Sequence, residues 1–182
     1  MMDIKQTTKK EGWDRGMDFN ETYRKMFDEL IKTNYKKKKL YLLILLIQLR
    51  NGSRISEAIR AIKEFKATDS NNVKILVSKK RDKKVYRDMV LPLELNKYIN
   101  ELGSLIDEET KNEDKLKRKI TAYCLRVFGF NTHSLRYSFI TYLSRDKKIE
   151  PQLISKITKH SDLRFIVKYT QEKAAEDVLK NI

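Results

Sequence analysis

The run Leu-Tyr-Leu-Leu-Ile-Leu-Leu-Ile-Gln-Leu over residues 40–49 limits this chain more than any other stretch. It is apolar all the way round a helix, so it must be covered on every side. At about half the ~20 residues that cross a bilayer, it is too short for a membrane span. It predicts a buried core helix with other elements packed around it. The four lysines at 36–39, just ahead of it, suit either a solvated face or contact with phosphates. Asn51-Gly52 ends the helix, and Ser53 is placed to cap the next one.

The rest of the chain supplies that cover. Phe19, Tyr23, Phe27 and Ile31 recur every fourth residue, with Met26 and Leu30 alongside, which predicts an amphipathic helix over 18–33. Arg54 falls in the first turn of a helix reaching about Ala61, with Ile55, Ile59 and Ile62 inward. Beyond Phe65 the period changes. Residues 73–78 and 85–92 are β-rich and flank a basic turn at 79–84, the pattern of an antiparallel hairpin.

Residues 93–105 look helical, and 107–119 read as a charged surface loop grading into a helix over 116–128 that Gly129 ends. Pro151 opens a short helix to Thr158, Ser161 can cap another carrying Phe165, Ile166 and Tyr169, and residues 172–182 form a last amphipathic helix. No internal repeat or low-complexity linker divides the chain. Residues 1–17 are polar, without the apolar run of a signal peptide, and are expected to form a mobile arm ahead of one domain over 18–182. The expected fold class is mainly α with a small antiparallel β-sheet (α+β).

Charge narrows the partner. A formal net charge of +15 over 182 residues favours a polyanion, because lysines and arginines displace counterions from phosphate backbones. Charge alone does not choose among DNA, RNA and an acidic membrane. The single cysteine, Cys124, excludes a disulfide within the chain, and no CxxC or HxxxH pair offers zinc ligands. A reducing, cytoplasmic setting fits, with neither metal nor cofactor expected.

Both histidines of the chain lie between Asn131 and Tyr169. Asn131 or Thr132 can cap a helix in which Leu135, Phe139 and Leu143 form the apolar stripe, leaving His133 and Arg136 one turn apart on an adjacent face. The first turn of a helix, with free N–H groups and the positive end of the dipole, favours an anion. On these residues alone the pair suits either a phosphate site or a capped core helix that happens to carry both.

Three boxes taken together say more. His133-Ser-Leu-Arg136-Tyr-Ser-Phe-Ile-Thr, then Lys159-His160-Ser-Asp-Leu, then Tyr169, resembles the tyrosine recombinase (phage integrase) family, whose pattern is HxLRHTFAT, LLGHxS and Tyr. Upstream, Gly52-Ser-Arg54-Ile-Ser-Glu57 resembles the family's GLRxSE box. The boxes stand in the family's order and close to its spacing, from about residue 20 to 170. One HxLR match alone arises on the order of once in ten thousand start positions.

The resemblance implies a tyrosine recombinase catalytic-domain-like fold and a site-specific recombinase that cleaves and rejoins DNA through a 3′-phosphotyrosyl link. In that scheme Tyr169 attacks the phosphorus, Arg54 and Arg136 clamp the phosphate, and His160 helps to hold its oxygens. His133 acts on the tyrosine proton, and a hairpin lysine is the acid for the leaving 5′ oxygen. Lys80 stands at the family's position for it, with Lys79 and Lys83 as competitors. Glu57 would orient an arginine. The implied partner is double-stranded DNA, with the chain mainly monomeric alone, self-associating as a dimer or tetramer on DNA, and touching no membrane. The rival expectation is a non-catalytic DNA-binding protein of the same fold. The sequence departs from the pattern at Lys159, where the family has glycine, and at Tyr137-Ser138, where it has His-Thr. It also has no room for the N-terminal DNA-clamping domain of most members, so it reads as a catalytic fragment or a short member.

Overall fold

The computed structural model describes residues 17–77, 84–160 and 162–182, apart from the side chains of Tyr169, Glu172, Lys173, Glu176 and Asp177. Helix α2 (Lys36–Asn51) is the axis of the molecule: Leu40 and every residue from Leu42 to Leu49 are buried. Packed on it are α1 (Phe19–Lys32), α3 (Ile55–Thr68) and α7 (Thr132–Thr141), with the other elements further out.

In α1 the Asp18 carboxylate accepts from the Glu21 N–H at 2.7 Å and so starts the helix. Its fully buried side chains are Met26 and Leu30, while Phe19, Tyr23 and Phe27 lean on the core and Ile31 faces outward. The apolar stripe is therefore turned by part of a turn from the one expected. Helix α3 outlasts its expected end at Ala61, because Ala58, Ile62 and Phe65 continue the inward stripe until Asp69 adopts the left-handed conformation, φ 54°. Its N-cap is Arg54 rather than Ser53, and the Glu57 carboxylate accepts from the Arg54 backbone N–H at 3.2 Å.

Strands β1 (Asn72–Leu76) and β2 (Tyr86–Val90) form a two-stranded antiparallel sheet in which Ile75 pairs with Arg87 and Val73 with Met89. Those four point inward, and their neighbours along each strand point out. Asn51, the last residue of α2, pins this sheet to the core: its side-chain amide donates to the Val90 carbonyl at 2.9 Å and accepts from the Val90 N–H at 2.8 Å. It thus copies the bonding of a third strand.

The segment expected as one helix over 93–105 and a loop over 107–119 is helical nearly throughout. A 3₁₀ turn (Leu93–Leu95) leads into α4 (Asn96–Glu101), α5 (Gly103–Glu109) and α6 (Glu113–Phe128). The Asn112 side chain caps α6 by accepting from the Lys115 N–H at 2.9 Å, one turn before the first inward residue, Leu116. The charge-rich stretch is held by ion pairs, with Glu109 bonded to Lys119 at 2.7 Å and to Lys37 at 3.4 Å.

Asn131 accepts from the N–H groups of His133 and Ser134 and opens α7, which relaxes into a π-helical turn at Tyr142–Asp146. Pro151 begins α8 (Pro151–Thr158), and Asp162 caps α9 (Leu163–Lys180). The cap expected at Ser161 lies outside the described residues. The two expected last helices are one, since no glycine or proline interrupts the chain between Tyr169 and Glu172. Ile140, Ile154 and Ile166 form a small second core that ties α7, α8 and α9 together. The architecture is mainly helical with one small antiparallel sheet, as expected. The proposed arm, apart from Met17, lies outside the described residues.

Candidate active site

Arg136 sits at the centre of the candidate site. Its residue is only 1% exposed, on the face of α7 turned toward the C-terminal end of α2. Nη1 donates to the Gly52 carbonyl at 2.7 Å, Nη2 donates to the Thr158 carbonyl at 3.0 Å, and Nε lies 3.4 Å from His160 Nε2. One guanidinium thus joins the α2–α3 turn, helix α7 and the end of α8. Gly52 can present its carbonyl because it takes φ +54°, and a Cβ there would stand 2.2 Å from Phe139 Cδ1.

The next residue but one, Arg54, starts α3 and is bonded through Nη1 to Glu57 Oε1 at 3.2 Å. Glu57 is wholly buried and its Oε2 also meets Arg87 Nη1 at 3.4 Å. Arg87, itself buried, donates from Nη2 to the Asn51 carbonyl at 2.6 Å. Arg87 was not singled out in the sequence, where an arginine on a β-rich run reads as a solvent-facing charge. The signal available was parity, since it shares the inward face with Met89.

Positive charge is in excess here. Among the described residues, Arg54, Arg87 and Arg136 surround one carboxylate, Glu57. Burial first, and then the charge of Arg54, pushes the Arg136 pKa down to about 9, still charged at neutral pH. Burial, followed by Arg136 and Arg54, pushes His160 down to about 3, so its imidazole is neutral at neutral pH. It can therefore act as a neutral hydrogen-bonding ring beside Arg136. Guanidiniums held close together in a low-dielectric setting are stabilised by an arriving anion, and one of them, Arg54, stands at the start of α3, where free N–H groups already favour one.

His133 is exposed, one turn before Arg136 on α7, with its ring edge-on to Tyr137 at 5.0 Å between centroids. Of the residues named from sequence, the structure brings Arg54, Arg136 and His160 into one cluster and sets His133 on the same helix as Arg136. Tyr169 lies on α9, and its side chain is outside the described residues. Lys80, with its competitors Lys79 and Lys83, is also outside them. Lys159 takes the left-handed conformation, φ 54° and ψ 39°, that the family's glycine would adopt without strain. Among the described residues, no group of three His, Cys, Asp or Glu side chains gathers as it would round a metal ion.

No protein-family model matches the chain. It is similar to "Putative integrase ORF241" of Acidianus two-tailed virus, at 36% identity over 93% of this chain and 68% of that protein. It is similar also to "Putative integrase V10" of Sputnik virophage, at 30% identity over 92% of this chain and 89% of that one. The chain belongs to the tyrosine recombinase (phage integrase) family. Among solved structures, XerH site-specific recombinase bound to difH substrate in a pre-cleavage complex shares the fold, with a TM-score of 0.61 and 24% identity over 87% of this chain. The chain spans about half the length of XerH, 51% of it. In family terms, the arginine boxes and the second histidine box meet at Arg136.

Proposed function

We propose that this chain is the catalytic part of a site-specific DNA recombinase that breaks and rejoins strands through a 3′-phosphotyrosyl intermediate. The observation that carries the proposal is the cationic excess at Arg54 and Arg136 around buried Glu57, with His160 against Arg136. A phosphodiester placed there has its non-bridging oxygens met by two guanidinium groups, whose forked donors suit them. As the phosphorus takes a fifth ligand, charge builds on those oxygens, where fixed cations act most strongly.

Tyr169 is the proposed nucleophile. Its oxygen bonds to phosphorus while the bond from phosphorus to the 5′ oxygen breaks. The phenolic proton goes to His133, and Lys80 gives a proton to the leaving oxygen. The phosphotyrosyl ester conserves the energy of the broken bond, so a free 5′ hydroxyl reverses the step without ATP. The proposed substrate is double-stranded DNA, on which copies of the chain associate as dimers or tetramers. In this scheme the fixed charges of Arg54 and Arg136 do the work of a divalent ion, and cleavage is expected to continue in a chelator.

The test is a suicide duplex, nicked beside the target site so that the cut fragment diffuses away. The parent protein should give a covalent protein–DNA adduct, and Tyr169→Phe should give none while its DNA affinity stays within a few-fold, since only one uncharged hydroxyl is lost. An adduct with Tyr169→Phe would remove Tyr169 from its role. For the lysine, a 5′-phosphorothiolate leaving group needs no acid, so it should rescue Lys80→Ala. Rescue at Lys79 or Lys83 instead would move the role there.

A further inference from the structure

Where the family pattern LLGHxS has a leucine two residues before its histidine, this chain has Thr158, and that side chain is fully buried. Its hydroxyl oxygen lies 2.8 Å from the Ile154 carbonyl and 2.7 Å from His160 Nδ1. A hydroxyl has one proton to give, and a carbonyl can only accept, so the proton goes to Ile154. The remaining contact is satisfied only if Nδ1–H of His160 donates to the Thr158 oxygen. A bare Nδ1 would face the lone pairs of that oxygen at 2.7 Å. The ring is neutral here, so its other nitrogen, Nε2, carries no proton and accepts from Arg136 Nε at 3.4 Å. Arg136 Nη2 has two hydrogens: one goes to the Thr158 carbonyl at 3.0 Å, and the other, although Nδ1 lies 3.1 Å away, goes to the lone pair on Nε2 at 3.3 Å.

We infer that Thr158 is a positioning residue of this site: its hydroxyl fixes both the tautomer and the plane of His160, turning Nε2 toward Arg136. Thr158 grips the two groups at once, Arg136 through its carbonyl and His160 through its hydroxyl. A leucine could not hold the ring this way. Without the hydroxyl the imidazole can turn over about its Cβ–Cγ bond and present carbon instead of nitrogen to the guanidinium. The left-handed Lys159 between them sets the reach, because it folds the chain back so that residue 160 returns over residue 158.

The inference rests on the proposed role of Arg136 and His160 at the phosphate, and its test has a readout independent of cleavage. With two histidines in the chain, 15N-labelled imidazoles can be followed separately in the free protein. His160 should show the Nδ1–H tautomer in the parent and in Thr158→Ser, and a mixture or the other tautomer in Thr158→Val. Thr158→Ala serves as a second hydroxyl-free variant if valine disturbs packing. On the suicide duplex, the adduct rate should fall about tenfold in Thr158→Val at unchanged DNA affinity, and Thr158→Ser should restore it. An unchanged tautomer in both hydroxyl-free variants overturns the inference, as does a changed tautomer with an unchanged adduct rate. A tautomer shift with no adduct from any protein, the parent included, supports the positioning and instead removes the recombinase proposal.

Discussion

The guanidinium of Arg136 bonds the Gly52 carbonyl at 2.7 Å across 84 residues of sequence. Two boxes that the sequence keeps far apart are thereby joined through one backbone atom. The orientation of that carbonyl is set by the left-handed turn of Gly52, and the space beside it is filled by Phe139, one turn beyond Arg136 on α7.

Gly52→Ala should therefore be destabilising by about 2–4 kcal/mol, from left-handed strain and from the contact with Phe139. Urea unfolding measures it. Placing Gly52→Ala on a Phe139→Leu background should recover the steric part and leave the backbone part. A Gly52→Ala protein within about 0.5 kcal/mol of its parent would show that the turn is not what holds the carbonyl.

Arg87→Met should cost about 3–5 kcal/mol, because it leaves the buried Glu57 with one arginine fewer and the Asn51 carbonyl without its donor. Combining it with Glu57→Gln should cost less than the sum of the two single changes, because the Arg87–Glu57 contact is lost only once. Strict additivity of the two changes in a double-mutant cycle would argue that the pair does not interact.

Lys159 offers the opposite sign. It holds φ 54° with a side chain, so Lys159→Gly should stabilise the protein by about 0.5–1 kcal/mol through relief of left-handed strain. Thermal unfolding of the two proteins at one salt concentration is sufficient, and a lower midpoint for Lys159→Gly would contradict the strain.

His160 makes stability depend on pH. Its folded pKa, about 3, lies below the ordinary histidine value of 6.5, so the unfolded chain binds the proton first as pH falls. Stability is then full above 6.5 and is lost on acidification through the window down to about 3, at up to about 1.4 kcal/mol per pH unit for one proton. His160→Gln should flatten this slope between pH 6.5 and 4.5. Parallel slopes for the two proteins would place the titration elsewhere.

How much of this could be read in advance varies with what each residue leans on. The grouping of Arg54, Arg136 and His160 was legible because the boxes fix their spacing, and α2 was because a ten-residue apolar run admits few fates. Arg87 was not, since an inward arginine on a strand is recognisable only once the strand's parity and its partner Glu57 are known. The charged segment after α5 was misjudged for a related reason. Its order comes from Glu109, Lys119 and Lys37 meeting across the fold and from the Asn112 cap, and apolar periodicity registers neither. Thr158 gave no local signal, because its importance lies in the distance to a ring two residues on.

The bonds of Arg136 also bear on how such a chain would age once its reaction was no longer needed. A buried guanidinium that ties α7 to the Gly52 turn and to the end of α8 is kept by selection for folding alone, whereas His133 is exposed at the start of α7, where substitutions disturb packing less. In lineages that have lost recombination, the exposed histidine should drift first and the buried arginine last. Persistence of Arg136 in a relative is thus a weak sign of activity, and persistence of His133 a stronger one.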